Sequence, residues 1–329
     1  MRNIRVSLTA LAIGLATAGA FAQTTVIKAW NIHPDGYPVT EAMKQFVDEV
    51  NQGTGGRYRI ELYSNAVLGD QPKAVQMLKS GEIDAAEFSI GPLSEAVPGL
   101  KALNLPFLFP DSQNMFEQLA GPLGDKLAAQ LKAAGYTVVG WYDGGARSFY
   151  CTNKKLANVT DFKGLKIRVQ QSEVYMEMVK ALDATPVPLP FKDVGTALQQ
   201  GQVDCAENNL PSFESTGHYK VAKYVYLTNH IVSPEALVVS TRLWNKLSPQ
   251  DQKVFAQAGQ KSALLMRALW NRRVDEARDI LARSGVQFTR VRDYSPLVRR
   301  MRPLHGKYMA DPQTREQLLT ILATGATAK

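Results

Sequence analysis

The chain has 329 residues, of which 45% are hydrophobic and 21% are charged. At roughly 150 residues per domain, this length suggests two domains with a substantial core, and the composition excludes a low-complexity or intrinsically disordered protein. The 38 basic and 30 acidic residues give a formal net charge of +8, an excess too modest to indicate a nucleic-acid-binding protein.

The first 22 residues have the three parts of a secretory signal peptide. Arg2 and Arg5 form a basic start, residues 8–20 are apolar but too few to cross a bilayer, and the small residues at 20–22 form a cleavage site before Gln23. A retained membrane anchor is the alternative, and the short apolar run disfavours it. No cysteine stands at the cleavage point for lipid attachment. We expect an exported protein whose net charge falls to +6 once both arginines are removed.

Strands and helices alternate after this segment. The hydrophobic pattern predicts strands at 25–30, 57–63 and 83–88 with helices at 40–50 and 71–78, the second of them capped by Asp70. The same alternation returns with strands near 148–152, 166–169 and 203–208 and helices at 173–182 and 194–200. Such alternation is typical of an α/β fold.

Two segments of the chain echo one another. Residues 78–87 (LKSGEIDAAE) match residues 198–207 (LQQGQVDCAE) at an offset of 120, and each describes a helix ended by a glycine and followed by a strand. This is either the chance recurrence of a common turn or the mark of two similar lobes. In the second case, the carboxyl ends of both strands face a shared crevice, where open α/β sheets bind ligands.

A long helix is predicted near the C-terminus. Ser248 is a good N-cap with Pro249 at the first helical position, and no proline follows before about residue 283. A helix of that length is roughly 50 Å long and could brace both lobes. Its many basic residues form either a solvated face with salt bridges to neighbouring acids or a docking surface.

Cys151 and Cys205 are the only cysteines. In an exported protein they could form one disulfide or remain two buried thiols, and their spacing fits no metal site. The sequence also lacks the common nucleophile, phosphate-binding, zinc-protease and dinucleotide motifs, and its four histidines are scattered. We therefore expect no enzyme, no cofactor and no bound metal, although a periplasmic enzyme acting on sugar acids remains an alternative.

Two arginines are candidates for ligand binding. Arg147 follows a pair of glycines that would let the chain cross between lobes, and Arg168 lies within an apolar strand. An arginine in such a strand either reaches solvent or meets a buried anion.

Several motifs together resemble the solute-binding proteins of tripartite ATP-independent periplasmic (TRAP) transporters. They are GLKIRV at 164–169, the run from 201 to 208 that ends in AEN, the segment 219–230, the Gly-Pro at 91–92 and NLPFLF at 104–109. The resemblance covers nearly the whole mature chain. It implies a periplasmic α/β protein of two lobes, which closes by a hinge near 144–146 and 231–234 and delivers an organic acid to a membrane permease.

The resemblance also implies a division of the chain and three ligand contacts. After the signal peptide at 1–22, the first lobe would take 23–145 and about 234–272, and the second 146–233 and about 273–329. The family's carboxylate-binding arginine falls on Arg168, its second cleft arginine on Arg147 and its cleft asparagine on Asn208. A guanidinium binds a carboxylate through two parallel hydrogen bonds, a geometry that lysine lacks.

The first lobe is expected to read the rest of the ligand. His33 stands in a segment that resembles family members that take up sugar acids, Gln71 lies near a helix start, and Glu87 ends the first copy of the echo. For these three residues a loop contact, a helix cap or a salt bridge is the alternative role. We expect a hexuronate such as D-glucuronate or D-galacturonate, with sialic acid, an aldonate, a C4-dicarboxylate or a sensor-presenting receptor as alternatives.

Overall fold

One sheet runs through the computed structural model, which describes residues 24–323; the predicted signal peptide lies outside the described residues. The strands are β1 Thr25–Trp30, β2 Tyr58–Tyr63, β3 Ala85–Ser89, β4 Tyr136–Cys151, β5 Lys166–Val169, β6 Thr185–Pro188, β7 Cys205–Asn208, β8 Tyr224–Ser240 and β9 Gln287–Arg290. The helices are α1 Pro38–Gly53, α2 Gln71–Ser80, α3 Ile90–Leu93, α4 Ser112–Leu119, α5 Pro122–Ala133, α6 Glu173–Ala181, α7 Val194–Gln199, α8 Leu210–Ser215, α9 Thr241–Trp244, α10 Pro249–Arg283, α11 Ser295–Ala310 and α12 Pro312–Ala323.

The strand order is β2-β1-β3-β8-β4-β7-β5-β6, with β9 beside β8. Strands β1, β2 and β3 pair in parallel and form the first half of the sheet; β5, β6 and β7 likewise form the second half. The antiparallel strands β4 and β8 lie between the halves. The predicted α/β class is therefore confirmed.

The two central strands are much longer than the sequence pattern predicted. The expected strand at 148–152 coincides only with the end of β4, and β4 and β8 pair with one another along most of their length. The glycine-rich segment before Arg147 reads as a chain break, yet it is a bulge inside β4, where the register shifts between Asp143 and Ala146. Gly145 sits there at φ 69, and an added Cβ would lie 2.6 Å from the ring of Trp270. The hinge predicted at 144–146 falls on this bulge, and its motion stays a prediction.

Helix α10 has the predicted start and length. The Ser248 side chain accepts from the Asp251 amide, and the helix continues for 35 residues, or about 52 Å. It packs on α1, β4 and α8, so it contacts elements on both sides of the sheet's centre. Lys261 pairs with Glu49 of α1, and Arg273 pairs with Glu214 of α8. Part of the positive charge of α10 is thus used in salt bridges, which agrees with the first of the two alternatives given above, a helix face with salt bridges to acidic residues.

Glycine allows α10 to approach the sheet closely. A Cβ on Gly259 would lie 2.3 Å from the Val139 carbonyl oxygen, and one on Gly140 would lie 2.8 Å from the Gly259 carbonyl oxygen. Within residues 24–323, no helix combines the length and apolarity that crossing a membrane requires.

The two cysteines form a disulfide, which decides between the two states that the sequence left open. Cys151 ends β4 and lies directly opposite Cys205, the first residue of β7, in the antiparallel ladder. The bond joins strands separated by 54 residues of chain. In the chain-entropy account such a cross-link stabilises the fold by about 4 kcal/mol.

Both copies of the echo have the same local structure. Gly81 and Gly201 end α2 and α7 in the left-handed region, at φ 86 and φ 67, and each is followed by a strand of the sheet. The copies thus place β3 and β7 in corresponding positions of the two halves. The division of the chain into lobes stays a prediction; helix α11 packs on α6, and α12 packs on α5.

Candidate functional site

A pocket lies between the two halves of the sheet, where β1, β3, β5 and β7 reach their carboxyl ends. Five of the six predicted site residues line it: His33, Gln71, Arg147, Arg168 and Asn208. Within each half the parallel strands end at the same edge, and the two halves run antiparallel to one another, so their carboxyl ends face each other across the cleft. The two halves therefore contribute side chains to one site.

Arg168 is a buried arginine without a carboxylate partner. Its side chain comes from β5 and is 3% exposed. Nε and Nη2 both donate to the Leu189 carbonyl oxygen, at 3.1 and 2.7 Å, and no ion pair is formed within residues 24–323. Burial lowers its pKa to about 10, so it is still charged at neutral pH. Nη1 and one Nη2 hydrogen remain for an anion in the pocket.

Arg147 is also buried, but its charge is already matched. Nε and Nη2 donate to the two carboxylate oxygens of Glu207 at 2.6 and 2.8 Å, Nη2 donates to the Glu207 carbonyl, and Nη1 donates to Asn208 Oδ1 at 2.7 Å. Burial alone would lower the pKa of Arg147, but the charge of Glu207 outweighs it and the pKa rises. One Nη1 hydrogen is left over for a ligand.

Asn208 is held by the same network. Its Oδ1 accepts from both Arg147 and the Asn209 amide, which leaves the side-chain NH₂ for the pocket. Asn209 caps α8 by accepting from the Ser212 amide and donates to the Gly144 carbonyl. The end of β7 is thus tied to the bulge in β4.

The first half of the sheet supplies His33 and Gln71. The His33 ring stacks on Tyr37 with centroids 3.9 Å apart, and burial lowers its pKa to about 3, so the imidazole is neutral. Gln71 begins α2, directly after the Asp70 cap, and its amide nitrogen donates to the Ser89 carbonyl at 2.7 Å. Its carbonyl oxygen is left to accept from a ligand hydroxyl.

Glu87, the sixth predicted residue, does not line the pocket. It is fully buried in β3, no donor group of residues 24–323 reaches its carboxylate oxygens, and it forms no salt bridge with either cleft arginine; its hydrogen-bonding neighbour is the Glu235 carboxyl group. Glu235 of β8 lies next to it and does line the pocket. Donor atoms of His33, Glu87 and Glu235 all lie within 4.8 Å of one another. These nitrogen and oxygen atoms are of the types that bind a metal ion. A proton shared between the two carboxyl groups would also reduce their negative charge, and it requires no metal ion.

Several lining residues were missed by the sequence analysis. They are Ile32, Ser89, Pro92, Gln170, Gln171, Phe191, Asn209, Ser212 and Glu235. Ser89 and Gln170 end or follow predicted strands, so the rule of carboxyl ends could have found them. Glu235 carries no such signal, because only the pairing of β8 with β3 and β4 brings it to the pocket.

Direct contacts cross the cleft. The Tyr37 hydroxyl lies 2.9 Å from Ser212 Oγ, and Gln170 Nε2 lies 3.4 Å from Ser89 Oγ. Tyr37 follows β1 in the first half of the sheet, whereas Ser212 belongs to α8 beside the second half. The structure therefore has the two halves in contact around the pocket, in the arrangement of a solute-binding protein.

Comparison with known proteins agrees with this class. The model of the bacterial extracellular solute-binding proteins of family 7 (DctP) matches residues 31–311. A solute-binding protein of Chromohalobacter salexigens is 36% identical over 310 residues, which are 94% of this chain and 91% of that protein. The chain belongs to family 7 of the extracellular solute-binding proteins, as the sequence motifs predicted.

Solved structures place it among the TRAP solute-binding proteins. A TRAP periplasmic solute binding protein of Roseobacter denitrificans, solved with bound β-D-glucuronate, is 37% identical with a TM-score of 0.89, over 91% of this chain and 99% of that one. One from Sulfitobacter sp. NAS-14.1, solved with bound β-D-galacturonate, is 36% identical with a TM-score of 0.88, over 90% and 99%. The predicted fold, including the long helix, is confirmed.

Proposed function

We propose that this protein binds a hexuronate, D-glucuronate or D-galacturonate, in the pocket between the halves of the sheet and releases it unchanged to a TRAP permease. The observation that carries the proposal is the charged, buried Arg168, which keeps Nη1 and one Nη2 hydrogen without an acceptor and forms no ion pair with a carboxylate of residues 24–323. A buried charge is costly unless it is paired, so this guanidinium is prepared for an anionic ligand.

The remaining polar groups suit the hydroxyls of a sugar acid. Arg147 and the Asn208 amide offer donors beside Arg168, while the Gln71 carbonyl and the neutral His33 ring offer contacts from the opposite wall. Each of these groups is left unpaired by a ligand that lacks the matching hydroxyl, at a cost of about 1–3 kcal/mol. Two similar proteins of known structure hold hexuronates, which supports this ligand class.

Arg147 is not proposed as a second carboxylate clamp. Its charge and four of its five donor hydrogens are committed to Glu207 and Asn208. A single unpaired arginine therefore favours a monocarboxylate over a C4-dicarboxylate.

Calorimetric titration with a panel of acids tests the proposal. D-Glucuronate or D-galacturonate should bind, whereas D-glucose, which has the hydroxyls but no carboxylate, and succinate, which has two carboxylates but no hydroxyls, should bind at least 100-fold more weakly. Chromatography of the recovered ligand should show no turnover. Binding of succinate in preference to both uronates, or chemical conversion of a bound uronate, would contradict the proposal.

We also propose that the protein works in the periplasm after removal of residues 1–22. The family is extracellular, and residues 2–22 have the pattern of a signal peptide. Mass spectrometry of the protein from a periplasmic extract should give an N-terminus at Gln23. An intact Met1 in that extract would refute the cleavage.

A further inference from the structure

Two carboxyl groups beside the pocket have no cation to neutralise them. Glu87 is completely buried and Glu235 is 7% exposed. Neither forms an ion pair with a lysine or arginine of residues 24–323, and no donor group in that range reaches either oxygen of Glu87, whose hydrogen-bonding neighbour is the Glu235 carboxyl group. The nearby His33 ring is neutral, and its Nδ1 is buried without a partner as well.

The charge of the occupied pocket shows why this matters. Arg147 is balanced by Glu207, and Arg168 would be balanced by the carboxylate of a uronate. If Glu87 and Glu235 were both ionised, the closed site would therefore hold two uncompensated negative charges in a water-poor environment. Buried charges of like sign only a few ångströms apart strongly disfavour double ionisation.

We infer that Glu87 and Glu235 share at least one proton in the ligand-bound protein, and that this protonated pair, through Glu235, is a specificity element that contacts ligand hydroxyls. This inference rests on the proposed uronate function and deepens it. A protonated carboxyl group both donates and accepts, as hydroxyl recognition requires, whereas a carboxylate only accepts. Glu87 does not reach the pocket surface, so it is a positioning residue that acts through Glu235.

The electrostatic surroundings agree with a retained proton. Burial, together with the charge of Glu235, raises the pKa of Glu87 well above its ordinary value. Burial likewise raises the pKa of Glu235 to about 8, despite the opposing charge of Arg147. Glu235 therefore keeps its own proton below about pH 8 and becomes an acceptor only as the pH rises through that value. Uronate affinity should follow the same course.

The histidine and the tyrosines around the pair do not titrate between pH 6.5 and 9.5. Tyr37 and Tyr142, which face the pair from the chain after β1 and from β4, have pKa values raised by burial far above 10. His33 is neutral above pH 6. Arg147 stays charged, and Asp143, on β4, has a pKa that burial raises. Arg168, with a pKa of about 10, would weaken binding less than twofold at pH 9.5.

The test is the dissociation constant of the tightest-binding uronate between pH 6.5 and 9.5, measured by calorimetry with EDTA present. We expect a constant value up to about pH 8 and a loss approaching tenfold per pH unit above it, or roughly 30-fold weaker binding at pH 9.5. Circular dichroism must show a folded protein at both ends of the range. A wild-type dissociation constant that changes less than threefold would overturn the inference.

Two isosteric variants identify the source of the pH dependence. Glu235→Gln removes the group that titrates near pH 8 and keeps its shape, so the ratio of dissociation constants between pH 9.5 and 6.5 should fall below about threefold. Glu87→Gln is the matched control: it leaves Glu235 buried and titrating, so the ratio should stay above threefold. The readout is this ratio rather than the affinity itself, because a structural defect alone would not flatten it. If Glu235→Gln keeps the wild-type ratio, another group such as Asp143 is responsible and the inference fails.

Two further outcomes of these titrations lead to different conclusions. If EDTA abolishes binding, the pair holds a metal ion instead of a proton, and the inference is again wrong. If no uronate binds wild type at pH 6.5, the proposed function itself has failed, whereas tight binding at pH 6.5 with no alkaline loss leaves the function intact and refutes only the shared proton.

Discussion

The two cleft arginines should respond in opposite ways to the same substitution. Arg168→Gln removes a buried charge that forms no ion pair among residues 24–323, whereas Arg147→Gln removes the partner of the buried Glu207 carboxylate. Glutamine keeps hydrogen-bonding ability without the charge. The pair of variants therefore separates a residue that serves the ligand from one that also stabilises the fold.

For Arg168→Gln we expect a large loss of binding with no loss of stability. A charge-assisted hydrogen bond contributes about 1.5–3 kcal/mol, so losing two of them to the ligand carboxylate costs roughly 4 kcal/mol, or about 1,000-fold in Kd. Arg168→Lys keeps the charge but not the paired geometry and should lose roughly 100-fold. The ligand-free protein should unfold at the wild-type temperature or slightly above it, because an unpaired buried charge is gone.

For Arg147→Gln we expect a loss of stability even without ligand. Breaking a buried ion pair by removing one partner costs about 3–5 kcal/mol, since Glu207 is then left as an uncompensated buried charge. The double variant Arg147→Gln with Glu207→Gln should recover most of this loss, because both charges disappear together. The difference between single and double variants gives the coupling of the pair.

The assays are urea unfolding of the ligand-free proteins and calorimetric titration of each variant with uronate. The reasoning would be refuted if Arg168→Gln destabilised the ligand-free protein by more than about 2 kcal/mol, since Arg168 would then be a structural residue. It would equally fail if Arg147→Gln were as stable as wild type, because the ion pair with Glu207 would then contribute nothing.

Three further predictions concern the cleft and the sheet. Gly145→Ala should destabilise the protein by about 2–4 kcal/mol in urea unfolding, because alanine is strained at φ 69 and its Cβ would lie 2.6 Å from Trp270. A variant as stable as wild type would show that the bulge relaxes freely. Tyr37→Phe should weaken uronate binding about fivefold, mainly through a faster dissociation rate in stopped flow, because the closed cleft loses one hydrogen bond of about 1 kcal/mol. An unchanged dissociation rate would mean that this bond does not hold the cleft closed. Replacing both Cys151 and Cys205 by alanine should lower the unfolding free energy by about 4 kcal/mol and leave the calorimetric uronate affinity within twofold of wild type. A large loss of affinity would mean that the disulfide supports the binding site.

Local signals predicted much of the fold. Strand β5 at Lys166–Val169 and helix α10 at Pro249–Arg283 have the bounds that their patterns indicated, because apolar periodicity, an N-cap serine and a proline at the first turn act within a few residues. The family motifs and the convergence of strand ends predicted five residues that line the pocket. Each of these inferences needs only neighbours in sequence or a resemblance to known proteins.

Pairing across the sheet decided the rest. The length of β4 and β8 comes from their mutual pairing, which overrides the local preference of a glycine-rich segment for a turn. The sequence named Arg168 as the carboxylate-binding arginine and Arg147 as a second cleft arginine, but it could not show the partner of either. Only the tertiary structure forms the ion pair of Arg147 with Glu207 and leaves Arg168 without an ion pair among residues 24–323.

The net charge of the chain therefore says little about which charges lie in the pocket. Composition determines that the protein is modestly basic, and motifs determine its family and the arginines to examine. Contacts between residues far apart in the chain decide which of those arginines forms an ion pair. Such contacts also bring Glu235 next to Glu87 beside the pocket. The energy of a buried charge is set by what lies within a few ångströms of it, and that is a property of the folded protein alone.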